Sequence, residues 1–196
     1  MYGGRITDEE KSTLSTYIGV GVVTVLAAGA VYLFFVAHEE KVASTGFDPN
    51  RAVPGDDVVR HRLKAEEFSV VRLGTTQMPF QNEFWDNQRP GIYVDVITGE
   101  PLFTSLDKYD AGIGMPCFSK PISPDLITTV QDNSHDMQRV EVRAKRSNAH
   151  LGHLFSDPNS PTGQRYAVNS AAFHFIPQER MELEGYKAFL PLLDKK

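Results

Sequence analysis

From Ser12 to Ala37 the chain carries no charged residue: STLSTYIGVGVVTVLAAGAVYLFFVA. A helix of roughly 20 apolar residues spans the hydrocarbon core of a bilayer, and this run is long enough to do so with some tilt. Gly19, Gly21 and Gly29 would weaken a helix in water, whereas small residues in lipid let a partner helix approach closely. Tyr17 and Tyr32 stand toward the two ends, where amphipathic rings favour the interface. A cleaved signal peptide would have a basic leader and a shorter apolar core, but the leader here holds Asp8, Glu9, Glu10 and Lys11. The pattern predicts a polar head over 1–11 and an uncleaved single transmembrane helix over 12–37. Arg5 and Lys11 on one side and Lys41 on the other are offset by acids, so the charges do not choose an orientation.

After this run the pattern changes. Gly46, Pro49, Pro54 and Gly55 punctuate a linker over 38–57. Val59, Leu63 and Val70 recur among charges over Val58–Val70, which predicts one short helix capped by Asp56 or Asp57. Beyond Gly74 the period shortens. Gly91 to Ile97 alternates and is β-branched, and Thr98-Gly99-Glu100 supplies a turn before Pro101-Leu102-Phe103. Arg139–Lys145 and Arg165–Ile176 read as further strands. The expectation is a mainly antiparallel β domain over 58–177 with short helices. The tail, 178–196, is partly amphipathic through Leu183, Tyr186, Phe189, Leu190 and Leu193, and would pack on the domain or on a partner.

Composition narrows the function classes. Apolar residues make up 41% and charged residues 23% of 196, which is the balance of a globular chain. Net charge is −5, with no clustered basic footprint for nucleic acid. Cys117 is the single cysteine, so an intramolecular disulfide and a cysteine-cluster zinc site are both excluded.

Potential catalytic partners concentrate in Arg143–Pro177. There His150, His153, Asp157, Arg165 and Asn169 stand among short apolar runs. The stretches LKAEEFSVVRLGTTQMPFQNEFWDN, GIYVDVITGEPLFTSLDKYDAGIGMPCF, EVRAKRSNAHLGHLF, PTGQRYAVNSA and FIP together resemble the methionine-R-sulfoxide reductases, in family order and spacing from Leu63 to Pro177. The resemblance implies two antiparallel β sheets with a shared core and short flanking helices. It also implies a thiolate that attacks the sulfoxide sulfur and becomes a sulfenic acid as methionine leaves.

The family places that nucleophile in an RYC[VI]NSA strand, where this chain has Arg165-Tyr166-Ala167-Val168-Asn169-Ser170-Ala171. The tryptophan that holds the substrate methyl corresponds to Met115, and a common resolving cysteine to Ile113. Family members with structural zinc carry two CxxC pairs, which would fall at Asp95/Thr98 and Ala144/Ser147. These offer no thiolate, so neither metal nor cofactor is expected. His150, His153, Asp157, Arg165 and Asn169 match the polar shell that would bind and protonate the sulfoxide oxygen and lower the thiol pKa.

Three functions compete at this point. Because Ala167, Met115 and Ile113 depart together, the first expectation is a non-catalytic, reductase-like accessory subunit. Such a subunit would meet other subunits through the 12–37 helix, head and tail, in a mitochondrial inner-membrane respiratory or ATP synthase assembly. The polar shell would then be a vestigial pocket serving as a hydrogen-bonded scaffold. The second is a membrane-anchored methionine-R-sulfoxide reductase using Cys117 as a displaced nucleophile. The third is a module that binds methionine sulfoxide without turnover. A lone cysteine is otherwise a small buried hydrophobe.

Overall fold

The computed structural model describes residues 46–194. The predicted head and anchor over 1–37, and the first part of the linker, 38–45, lie outside the described residues. Among the described residues no helix is long and apolar enough to cross a membrane.

The helical region differs from expectation. Instead of one helix over Val58–Val70 there are two, α1 (Asp56–Arg62) and α2 (Ala65–Leu73). Leu63 and Lys64 between them are extended. The break has a local cause: the Glu67 carboxylate reaches back to accept from the Lys64 N–H at 2.8 Å, which starts a second helix. Asp56 and Asp57 are not caps. They sit inside the first turn of α1, after Gly55, where acids favour the positive end of the helix dipole. Arg72 of α2 donates to Asp56 at 2.7 Å and joins the two helices. Gly74 closes α2 in a left-handed conformation, φ 70°, which glycine adopts without steric cost.

The strands form two antiparallel sheets. β1 (Gly91–Asp95), β2 (Pro101–Thr104) and β9 (Phe173–Pro177) make a three-stranded sheet ordered β2-β1-β9. The other is six-stranded, ordered β3-β4-β8-β7-β6-β5. Its strands are β3 (Lys108–Tyr109), β4 (Cys117–Phe118), β5 (Ile127–Asp132), β6 (Arg139–Ala144), β7 (His150–Ser156) and β8 (Gln164–Val168). The expected single strand over Arg165–Ile176 is therefore two strands in different sheets, parted by a 3-10 turn at Ser170–Ala172. Ser170 explains the break: its hydroxyl donates to Asn82 and accepts from the Phe84 N–H, so the chain is drawn out of the ladder.

Tyr93, Phe103, Phe118, Tyr166, Val168 and Phe173 fill the shared core, with α2 contributing Val70 and Val71. Ile92 and Val94, on the opposite face of β1, pack with Ile176, Met181 and Tyr186. The tail thus covers the domain itself, and β1 is buried on both faces.

Candidate active site

Register across the six-stranded sheet assembles the site. Tyr109 pairs with Cys117, Cys117 with Ala167, Ala167 with His153, and His153 with Glu141. Directly opposed residues in antiparallel strands share a face, so these five side chains form one row. Alternation puts Phe118, Tyr166 and Val168 on the other face, in the core.

His150 and His153 are three residues apart, which in a regular strand would place them on opposite faces. A bulge corrects this. Val142 pairs with Gly152 and Arg143 with His150, so Leu151 is one extra residue in β7. Leu151 turns into the core, and the two imidazoles come together with ring centres 5.5 Å apart. Gly152 makes the bulge possible, since a Cβ there would lie 2.1 Å from the Ala167 carbonyl oxygen.

Each imidazole has its own carboxylate. His150 Nδ1 is 2.6 Å from Glu141 Oε1, and His153 Nε2 is 2.8 Å from Asp132 Oδ2. Arg143 also reaches Glu141, at 2.9 Å, and Arg139 reaches Asp132, at 2.7 Å. Burial holds His150 below the usual imidazole range, partly offset by Glu141. Burial alone would raise Glu141, but the hydrogen bonds from Arg143 and His150 carry its carboxyl below the usual range. Ser134, with His153, holds Asp132 well below it. Both histidines face a cleft of about 670 Å³ between this sheet and the Leu73–Thr76 turn.

On the other side of Ala167, Asp157 accepts from the Tyr109 hydroxyl at 2.9 Å and from Arg165 at 3.1 Å. The Asn159 N–H, then Tyr109 and Arg165, hold its carboxyl below the usual range. Cys117 is fully buried in this neighbourhood. Burial pushes its thiol up to about 11, while Arg165 and Lys108 pull in the opposite direction.

The anticipated residues therefore separate. His150 and His153 line the cleft, whereas Asp157, Arg165 and Cys117 lie outside its lining. Asn169 is consumed by the fold: it accepts from the Gln77 N–H and donates to the Leu151 carbonyl. Met115 is half-buried with its sulfur 3.5 Å from Asn82 Nδ2. Asp132, Glu141 and Tyr109 were not anticipated. The alternation of Arg139-Val140-Glu141-Val142-Arg143 carried the signal for Glu141, because it sets the charges against the valines.

At the zinc positions suggested by the resemblance, Asp95 accepts from the Thr98 hydroxyl at 2.6 Å and the Ile97 N–H at 3.1 Å. One carboxylate with hydroxyl neighbours does not fit tetrahedral thiolate zinc. Among the described residues no group of three or more His, Cys, Asp or Glu side chains is placed to hold a metal ion.

Residues 63–177 match the SelR domain. This chain belongs to that family, the methionine-R-sulfoxide reductases. It is similar to the peptide methionine sulfoxide reductase MsrA/MsrB of Vibrio cholerae serotype O1, 46% identical over 139 residues. Those residues are 71% of this chain and 37% of that protein, so the chain spans well under half of its relative.

The match overturns the expectation of a non-catalytic accessory subunit and inactive homologue. A relative at this identity bears an enzyme's name, which points to a reductase and not to a structural subunit of a respiratory or ATP synthase assembly. The register pairs Cys117, the chain's one thiol, with Ala167 on the same face of the sheet.

Proposed function

We propose that this chain reduces methionine sulfoxide in peptides, with Cys117 as the attacking sulfur. The observation that carries the reading is the row Cys117–Ala167–His153 on one face of a SelR fold. Opposed Cβ atoms lie about 4.5–5.5 Å apart, so the thiol is displaced by one strand spacing from the position that the resemblance implies. The Cys117 sulfur attacks the sulfoxide sulfur, and the sulfoxide oxygen passes to cysteine as a sulfenic acid. The thiol proton moves to that oxygen through the imidazoles, and reduced methionine leaves. Cysteine sulfur is oxidised by the two electrons that methionine sulfur gains. The described domain holds no second cysteine, so an external dithiol returns the sulfenic acid to thiol, becoming a disulfide and releasing water.

Burial keeps Cys117 protonated at neutral pH. Only the thiolate attacks, so turnover should rise with pH through the alkaline range, and Arg165→Ala should slow it by removing a charge that favours the thiolate. The direct test supplies a methionine-R-sulfoxide peptide and dithiothreitol, and follows free methionine peptide. Turnover lost in Cys117→Ser supports the reading. No turnover in the parent protein, or turnover undiminished in Cys117→Ser, sinks it. Binding of the peptide without turnover, lost in Arg165→Ala, would leave recognition alone.

We also propose that residues 12–37 anchor the domain in a lipid bilayer, on the strength of their charge-free run. Release from membranes by alkaline carbonate would refute this.

A further inference from the structure

Two carboxylates hold the paired imidazoles through different nitrogens. Glu141 takes Nδ1 of His150, and Asp132 takes Nε2 of His153. An ionised carboxylate only accepts hydrogen bonds, so the nitrogen facing it must carry the proton. His150 is thereby held as the Nδ1–H tautomer and His153 as the Nε2–H tautomer. His150 Nε2, in a residue 3% exposed, has no hydrogen-bond partner among the described residues. A buried polar atom without a partner costs about 1–3 kcal/mol, and this one belongs to a residue lining the 670 Å³ cleft.

We propose that Glu141 is a positioning residue, fixing the His150 ring and tautomer so that Nε2, buried within a residue of the cleft wall, is kept bare as the atom that handles the proton of the sulfoxide oxygen. The inference rests on the reductase reading for its chemistry and on the two hydrogen bonds for its geometry. Arg143 secures the Glu141 carboxylate from the same strand. Asp132 plays the reciprocal part, committing the Nε2 of His153 and so leaving its Nδ1 uncommitted. The charged groups around His150 are Glu141, Arg143 and Arg139 on β6, His153 on β7 and Asp132 on β5. The Leu73–Thr76 side contributes none. Glu141 is the neighbour that favours imidazolium most directly, so its removal leaves burial, His153 and Arg143 to oppose the charge.

The test is ¹⁵N NMR of the histidine rings in the full chain, compared with Glu141→Gln, Glu141→Asp and Asp132→Asn. In the parent protein at neutral pH, His150 should show a protonated Nδ1 and a bare Nε2. Glu141→Gln should mix the tautomers and move the His150 titration to lower pH, and Glu141→Asp should retain the Nδ1–H form. Asp132→Asn should disturb the His153 ring and leave the His150 tautomer in place. An unchanged His150 tautomer and titration in Glu141→Gln overturns the proposal, and so does a parent His150 protonated at Nε2. None of these readouts needs turnover, so the tautomer assignment can fail while the reductase reading stands, or the reverse. With turnover in hand, Glu141→Gln should lower kcat at least tenfold with little change in KM, and shift the pH profile with the His150 titration.

Discussion

At the residue scale, the site depends on a glycine whose role is steric. His150 and His153 share a face only because Leu151 is accommodated as an extra residue, and that bulge lets the backbone of Gly152 lie against the Ala167 carbonyl. A methyl group at position 152 meets backbone at 2.1 Å, and backbone cannot rotate aside as a side chain does. Gly152→Ala should therefore lower stability by about 3 kcal/mol, read from urea unfolding. In any protein that still folds, the upfield ring-current shifts of the paired imidazoles should also be lost. A variant with parent stability and an intact histidine pair would show that the bulge tolerates a Cβ. The sequence HLGH offers the glycine but not its reason, because the carbonyl it avoids lies on another strand.

At the scale of elements, local pattern predicted several strands well, whereas the local Glu67–Lys64 contact that splits the helical region went unread. Gly91–Asp95, the Thr98–Glu100 turn, Pro101–Thr104 and Arg139–Ala144 follow the alternation and the turn residues. The strand break at Ser170 was hidden because a distant side chain decides it: Asn82, 88 residues earlier, accepts from the Ser170 hydroxyl. Part of the site was hidden for the same reason: Asp132 comes to His153 only through the β5–β6–β7 pairing. The tail was legible as amphipathic, but its docking surface was not, since Ile92, Val94 and Ile176 come from two strands far apart in sequence. Met181 is fully buried there. Met181→Ala should cost about 2–4 kcal/mol by chemical denaturation, while leaving the His150 and His153 resonances unmoved because they lie on the other sheet. Stability unchanged within about 0.5 kcal/mol would mean that the tail does not brace β1 in solution.

For the described domain as a whole, the buried charges prescribe how stability varies with pH. Burial places the folded pKa of His150 below its unfolded value. As pH falls through the unfolded imidazole range, near 6.5, the unfolded chain takes up a proton that the folded chain refuses, so stability declines. The decline ends once pH is below the folded value. Glu141, Asp132 and Asp157 have folded pKa values below their unfolded ones. Their contribution is present above the usual carboxylate range, near 4, and is lost as pH drops further. Asp95 acts in the opposite sense, because burial raises it. Its contribution is present at low pH and is lost as pH rises through its folded value, so it softens the acid loss without reversing three carboxylates. The urea midpoint should therefore fall in two stages on acidification, first below about pH 6.5 and again below about pH 4. His150→Asn removes the first titrating group but retains a polar side chain, so it should flatten the first stage and preserve the second. A midpoint whose change from pH 7.5 to 5 is the same in the parent protein and in His150→Asn would mean that the His150 ring is solvated, and the cleft's unpartnered nitrogen would then be satisfied by water.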